Sequence, residues 1–164
     1  MHHTNLHADL KADLLDVMAL HSEYSACVDA GEFERWPDFF VEHCDYRIQA
    51  RENFDANLPL CIMWLEGKGM LRDRVYGVRE TLYHDPYYQR HIVSAPRIVS
   101  TDANEIRAEA NYLVLRTKRD SFSELFNVGR YIDTIQRTPE GLRFKARACV
   151  FDSEWIRNSI IYPI

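Results

Sequence analysis

The sequence predicts an α+β fold in which helices pack on one face of a curved antiparallel sheet. Helical patterns come first along the 164 residues, and long strand patterns joined by short turns follow them. Two of the strand patterns carry features typical of bulges, Pro96 in one and a change of parity near Gly129 in the other, and bulges bend a sheet. A curved sheet that is closed by helices forms a cone, whose interior is either a pocket or a filled core.

The first half of the chain mixes helices with two strands. Residues 9–30 form an amphipathic helix that ends at Gly31, and a second short helix over residues 32–36 ends at Pro37, which lacks a backbone donor. Strict alternation over residues 44–51 predicts a half-buried strand, residues 52–58 a loop and residues 59–65 a second strand. Residues 68–82 fit a third helix. The apolar positions of the two longer helices are Leu10, Leu14, Val17, Met18, His21 and Val28, then Met70, Leu71, Val75, Val78 and Leu82.

Strand patterns dominate after a loop at residues 84–86. Pro96 predicts that the strand over residues 88–100 is bulged or lies at an edge, and residues 105–117 place every second side chain inward. The turn at residues 119–121 leads to a strand over residues 122–136, and the turn at residues 138–141 leads to the last one. Alternation in that last strand turns Phe144 inward and predicts an outward basic row of Arg143, Lys145 and Arg147.

Composition and length bound the class of protein. A chain of this size is expected to form one domain over residues 1–164 that buries about 70% of its unfolded surface. A net charge of −5 argues against nucleic acid as a partner. No signal peptide and no apolar run long enough to cross a membrane is present, and the four scattered cysteines read as buried thiols, so we expect a cytoplasmic protein.

The motifs of redox and metal centres are missing from the sequence. No cysteine has a histidine two or three residues later, as an iron–sulfur centre of the Rieske type requires. The compact candidates for a mononuclear iron site are His84, Asp85 and His91. A solvated loop histidine and a strand histidine that is hydrogen-bonded to a carboxylate are the simpler interpretation of these residues. Gly67 and Gly69 lack the third glycine of a dinucleotide fingerprint and serve more simply to turn the chain from strand to helix.

General acid–base chemistry needs only a histidine or carboxylate in a pocket, so the sequence leaves it open. If the cone is hollow, the candidate residues are Asp45, Tyr46, His91, Tyr112 and Tyr131. The alternative is that these are hydrogen-bonded polar groups of the core or of an interface.

Charged residues and the apolar C-terminal stretch suggest contacts with a partner. Arg72, Asp73 and Arg74 lie on the third helix and form either a solvated face or an interface, for which planar arginine is well suited. The basic row with Arg143 and Arg147 faces solvent or a neighbouring subunit. Residues 152–164 are unusually apolar, with Trp155 among them, and are expected to dock on the chain's own core or on another subunit.

Five segments, taken in order and spacing, resemble the small (beta) subunits of multicomponent aromatic-ring-hydroxylating oxygenases. They are Trp-Pro-Asp-Phe-Phe at residues 36–40, Cys-Asp-Tyr-Arg-Ile at 44–48, Met-Leu-Arg-Asp-Arg at 70–74 after Trp64 and before Arg79, Arg-His-Ile-Val-Ser-Ala-Pro-Arg-Ile at 90–98, and Gly-Arg-Tyr-Ile-Asp at 129–133. The likeness is greatest to subunits of oxygenases that act on carboxylated aromatics such as terephthalate, salicylate or anthranilate.

The resemblance implies a fold, a set of partners and a division of labour. It implies the cone-shaped cystatin-like fold of nuclear transport factor 2 and a trimer that supports three large (alpha) subunits in an α3β3 assembly. The large subunit of such enzymes holds the Rieske 2Fe-2S cluster, the mononuclear iron and the substrate pocket, and NADH supplies electrons through a reductase. The small subunit carries no catalytic residue, cofactor or metal ligand, so Arg72, Asp73, Arg74, Arg143, Arg147 and Trp155 become partner-interface candidates.

Two other functions remain open from sequence. One is a stand-alone cone-fold dehydratase or isomerase that uses a pocket His–Asp pair and therefore needs an open apolar cavity around His91. The other is a small-ligand binding module with the same cavity and no acid–base pair. The sequence does not choose between aromatic substrates, or between insertion of one and of two oxygen atoms.

Overall fold

The computed structural model describes residues 2–153, 155–156 and 159–164, with side chains from residue 10 onward. Its helices are α1 (His2–Asp29), α2 (Arg51–Asp55) and α3 (Gly67–Tyr76), with a 3-10 turn at Trp36–Phe39 and a π-helical turn at Gly77–Thr81. Its strands are β1 (Phe40–Ala50), β2 (Met63–Glu66), β3 (Tyr87–Val93), β4 (Arg97–Thr101), β5 (Glu105–Lys118), β6 (Glu124–Thr138) and β7 (Gly141–Phe151).

All seven described strands form one sheet. The order is β2-β1-β7-β6-β5-β3, and β4 pairs with β5 beyond the break at residues 94–96 that Pro96 causes. The α+β class is confirmed, and β3 and β4 lie at an edge as predicted. One strand pairing differs from the predicted antiparallel sheet. Strands β1 and β7 are parallel, whereas the other pairs are antiparallel. Parallel neighbours need a crossover, and here every other strand lies between the two along the chain.

Helix α1 packs on the sheet, mostly against β3, through one buried face. Val17, Tyr24 and Val28 are buried there, at the spacing of one helix face. The prediction that Leu10 and Met18 also face inward is wrong, since each is 42% exposed. Met18 follows Val17 and is turned by about 100°, which carries it beyond the strip that the sheet covers.

Several boundaries differ from the prediction for local reasons. Residues 33–35 form turns, and the helical turn begins at Trp36 with Pro37 inside it, because a first helical turn does not need the missing N–H. The predicted loop over residues 52–58 contains α2, and the second strand is shorter than predicted. In α3 and the following turn Leu71, Val75 and Val78 are buried as predicted, whereas Met70 and Leu82 are exposed.

The long strands confirm the alternation in β5 and correct it in β6 and β7. In β5 the five residues from Ile106 to Val114 that were predicted to face inward are all buried. The parity change in β6 lies at Phe126, the extra residue between two β5 pairs, and not at Gly129. In β7 the extra residue is Lys145, so the inward positions after it are Arg147, Cys149 and Phe151. The prediction that Arg147 faces outward is therefore wrong.

The C-terminal residues dock on the chain's own core. Ile160 and Ile164 are buried, and Tyr162 packs against Phe33 and Tyr87 with ring centroids 4.8 and 4.4 Å apart. Arg74 donates hydrogen bonds to the backbone oxygens of residues 160 and 161. We call residues 160–164 the C-terminal plug.

Candidate functional site

The interior of the cone contains a buried ion pair with a histidine beside it. Arg147 is 1% exposed and donates two hydrogen bonds to Asp133, from Nε at 2.9 Å and from an Nη atom at 2.8 Å. His21 of α1 contacts the same carboxylate through Nε2 at 2.8 Å. The guanidinium lies 3.9–4.3 Å from the ring centroids of Phe144, Tyr24 and Tyr131, which surround it with aromatic faces. This set fills space that a pocket would need.

Burial and partner charges oppose each other at this cluster. Burial by itself raises the pKa of Asp133, but Arg147 and His21 outweigh it and hold the pKa below its usual value. Burial disfavours the charged form of His21 more than Asp133 favours it, so the pKa of His21 is lowered. Asp133 is therefore a carboxylate and His21 a neutral imidazole at neutral pH. Both charges of the pair have hydrogen-bond partners, so the cluster is a satisfied polar group of the core.

The C-terminal plug provides hydrogen-bond partners for other polar groups inside the cone. The hydroxyls of Tyr24 and Tyr46 donate to the backbone oxygen of Ile164 at 2.8 and 3.1 Å, and the Ile164 N–H donates to Tyr46 at 2.9 Å. The Cys149 thiol also points at the Ile164 oxygen, at 3.3 Å. Burial raises the pKa of Cys149 to about 12, so the thiol is protonated and unreactive.

The five acid–base candidates do not form one site, because Tyr112 and Tyr131 stack with ring centroids 4.4 Å apart while Asp45 and His91 have other partners. Tyr46, Tyr112 and Tyr131 are buried in the core, whereas Asp45 is half-buried and pairs with Arg47 at 2.6 Å. His91 is paired with a carboxylate that the sequence did not suggest, Asp29 at the end of α1, with Nδ1 to Oδ1 at 2.6 Å. Among the described residues, the space next to His91 is a small polar crevice and not the open apolar cavity that a dehydratase or isomerase needs.

The three metal candidates are separated as well. His84 contacts the Tyr162 hydroxyl at 2.8 Å, Asp85 pairs with Lys118 at 2.8 Å, and His91 pairs with Asp29. Within the part of the chain that the structure describes, no group of three histidine, cysteine, aspartate or glutamate side chains is placed to hold a metal ion. No helix among the described residues is long and apolar enough to span a membrane.

The surface candidates fall into two groups. Arg72 and Asp73 are exposed on α3, Arg143 is half-buried at the start of β7, and Trp155 is 85% exposed. Arg74, by contrast, is engaged with the C-terminal plug. Arg147 is buried and therefore does not contribute to the surface of the chain.

Sequence reasoning missed Asp29, His21 and Asp133 as functional groups of the interior. A signal existed for Asp133, because it shares the parity of the buried residues Tyr131 and Ile135 in a strand, where a carboxylate requires a partner. The partner, Arg147, lies opposite it in the register of β6 and β7. A bulge hid that register from the sequence pattern.

Comparison of folds places the cone in a known class. The chain superimposes on a nuclear transport factor 2-like protein with a cystatin-like fold from Novosphingobium aromaticivorans, with a TM-score of 0.64 over 88% of this chain and 86% of the other at 20% identity. It superimposes with a TM-score of 0.86 at 31% identity on a beta subunit from the same organism that is assigned to an aromatic-ring-hydroxylating dioxygenase, covering 94% of this chain and 99% of that one. The cystatin-like cone fold is confirmed.

Comparison of sequences gives the family. The family model described as ring hydroxylating beta subunit matches residues 25–158. Over 160 residues the chain is 36% identical to the anthranilate 1,2-dioxygenase small subunit of Burkholderia cepacia, covering 98% of this chain and 99% of that protein. Over 150 residues it is 32% identical to subunit beta 1 of the terephthalate 1,2-dioxygenase terminal oxygenase component of a Comamonas species, covering 92% and 97%. The chain belongs to the ring-hydroxylating beta-subunit family, as the resemblance predicted, and is thus one subunit of an oxidoreductase.

Proposed function

We propose that this chain is the non-catalytic small subunit of an oxygenase that hydroxylates aromatic acids, and that it acts by assembling and stabilising the large subunit. The observation that carries the proposal is the match to small subunits of anthranilate and terephthalate dioxygenases along nearly the whole chain. Residues 1–164 act as one domain in this proposal, in the cytoplasm.

The filled cone supports a structural role. The ion pair of Asp133 and Arg147 and the C-terminal plug occupy the interior, where other proteins with concave folds keep a ligand. Catalysis on an aromatic ring would then depend on a different polypeptide. That polypeptide is the large subunit, which carries the Rieske 2Fe-2S cluster and the mononuclear iron and receives electrons from NADH through a reductase.

The proposed assembly is an α3β3 hexamer built on a trimer of this chain. Arg72 and Asp73 are the interface candidates that the fold supports best, because both are exposed on a helix whose opposite face is buried. Arg143 and Trp155 remain candidates on the surface. Arg74 contributes indirectly by holding the C-terminal plug, and we leave Arg147 out because it is buried.

Co-expression with the cognate large subunit tests the proposal. We expect the two chains to co-elute in gel filtration at the mass of a hexamer, with iron in the complex and none above background in this chain purified alone. Recovery of a fully active large subunit with which this chain never co-purifies would contradict the proposal. Turnover of an aromatic acid by this chain alone would contradict it too.

A further inference from the structure

A polar crevice lies between α1 and the end of β3, on the outer side of His21, which also contacts the interior ion pair. Its volume is about 270 Å³, and Met18, Ser22, Ser94 and Ala95 form an exposed rim. Its deeper wall contains His21, Ser25 and His91. Both histidine side chains are at least nine-tenths buried. The crevice is smaller than the 300–1,000 Å³ typical of sites for drug-sized ligands.

Three polar atoms in this wall have no protein partner. They are His21 Nδ1, Ser25 Oγ and His91 Nε2, each buried and without a hydrogen bond to any of the described residues. Buried polar groups in folded proteins nearly always have a partner, since an unpaired buried group loses its hydrogen bonds to water and gains nothing in return. Three of them along one small crevice indicate that the partner comes from outside the chain.

The other ring nitrogens decide what the two histidines offer to the crevice. His21 directs Nε2 at the Asp133 carboxylate, so Nε2 carries the proton and Nδ1 presents a lone pair. His91 directs Nδ1 at the Asp29 carboxylate, and the neutral imidazole held in this way presents the lone pair of Nε2. His21 and Ser25 are four residues apart on one helix face, which brings the hydroxyl oxygen beside the first of these acceptors. The crevice therefore displays three acceptors.

The charge around the crevice favours a cation. Asp133 is neutralised by Arg147 at 2.8 Å. Asp29 receives the ring and backbone N–H groups of His91, and within the described residues it makes no ion pair with a lysine or arginine. One carboxylate charge is thus left next to the buried acceptors.

We propose that this crevice binds the ammonium group of a small primary amine. An ammonium has three N–H donors, which match the three acceptors, and a positive charge, which matches Asp29. A water molecule can also make hydrogen bonds to the three atoms, because the Ser25 hydroxyl can donate, but water is neutral and leaves the charge of Asp29 uncompensated. The proposal does not rest on the role of the chain as an oxygenase subunit.

Nitrogen-15 NMR of the histidine rings tests this in the intact chain, with methylammonium chloride as the probe. We expect methylammonium to shift the ring resonances of His21 and His91 saturably, whereas sodium chloride and tetramethylammonium chloride, which lack N–H donors, do not. Ser25→Ala removes one acceptor and should weaken binding by at least about tenfold, because a hydrogen bond to a charged group is stronger than one between neutral groups. Ser100→Ala, the same change at an exposed position of β4, should leave the affinity unchanged.

Three results would overturn the proposal. One is an ordered water in the crevice that methylammonium does not displace. Another is a response to sodium equal to that to methylammonium. The third is an equal affinity in Ser25→Ala and Ser100→Ala variants that circular dichroism shows to be folded; if Ser25→Ala does not fold, the comparison of the three salts on the unmodified chain decides.

Discussion

Asp133 and Arg147 occupy inward positions of β6 and β7 that apolar residues would normally take. Each charge is tolerable because the other is held at hydrogen-bond distance and aromatic rings surround the guanidinium. Continuum arguments and measurements agree that removing one member of such a pair is costly, because the remaining charge stays buried without compensation. The pair is thus a point where one substitution should have a large effect.

We expect Asp133→Asn to lower the free energy of unfolding by about 3–5 kcal/mol. Urea denaturation followed by circular dichroism measures the change. Asp120→Asn is the matched control, because Asp120 is exposed in a turn at a φ of 58°, which asparagine also adopts, and it should change stability by less than about 0.5 kcal/mol. Equal midpoints for the two variants would show that the pair contributes nothing.

His21 gives the chain a predictable dependence on pH. Its folded-state pKa lies below the ordinary 6.5, so on acidification through about pH 6.5 the unfolded state takes up a proton before the folded state does. The unfolded state binds more protons in this range and is stabilised as the pH falls. The free energy of unfolding therefore decreases from about pH 6.5 downward. Asp133 adds a second loss in the same direction below its ordinary pKa of 3.8.

The test compares denaturation midpoints between about pH 7.5 and 5.5. We expect His21→Gln to make the stability curve flatter across this window, since the titrating imidazole is gone. His43→Gln, at an exposed histidine of β1, should keep the slope of the unmodified protein. A steeper curve for His21→Gln would reverse the assigned sign.

Strand β6 has no room for a side chain at Gly129. A Cβ built there would lie 2.0 Å from the Val150 backbone oxygen and 2.7 Å from the Phe151 Cα, both in β7. Backbone atoms of a paired strand cannot move aside without breaking the ladder. Gly129 therefore permits the close approach of β6 and β7 that brings Asp133 opposite Arg147.

We expect Gly129→Ala to destabilise the fold by more than about 2 kcal/mol, since overpacking a well-packed region costs about 1–3 kcal/mol or more. Thermal unfolding by circular dichroism measures it. Gly69→Ala in α3 is the control, because no atom lies within 4 Å of the added Cβ, and alanine favours a helix by up to about 1 kcal/mol. A Gly129→Ala variant as stable as Gly69→Ala would refute the steric argument.

The same strands show what the sequence could and could not predict. The alternation of β5 was correct along its length, because a regular strand with one buried face repeats every two residues. The inward turn of Arg147 was not predictable, since one extra residue at Lys145 reverses the faces and nothing local marks it. His91 was found as a candidate, but its partner Asp29 lies 62 residues earlier and is brought close only by the packing of α1 on β3.

The C-terminal plug argues against a substrate pocket inside the cone. The plug satisfies Tyr24 and Tyr46, so two hydroxyls that could have served a substrate serve the fold. Arg74 of α3 donates hydrogen bonds to the backbone oxygens of residues 160 and 161 in the plug. The exposed residues Arg72 and Asp73 lie on the same helix. The contacts that hold the plug and the proposed partner surface therefore lie on the same helix.

Charge reversal on the exposed face of α3 tests whether this face binds the large subunit. We expect Arg72→Glu to weaken binding of the large subunit by at least about tenfold, because a buried interfacial charge that meets a like charge costs more than 1.4 kcal/mol. The stability of the isolated chain should not change, since Arg72 is exposed and the buried face of α3 is untouched. Co-purification with the tagged large subunit and surface plasmon resonance provide the two measurements.

Arg119→Glu is the matched control, with the same change of charge at an exposed turn between β5 and β6. Because both variants alter net charge equally, a general electrostatic effect would weaken binding in both, and an interface at α3 would weaken it only in Arg72→Glu. If the large subunit binds the Arg72→Glu variant as tightly as the unmodified chain, the partner surface must lie elsewhere. Arg143 and Trp155 would then be the positions to substitute.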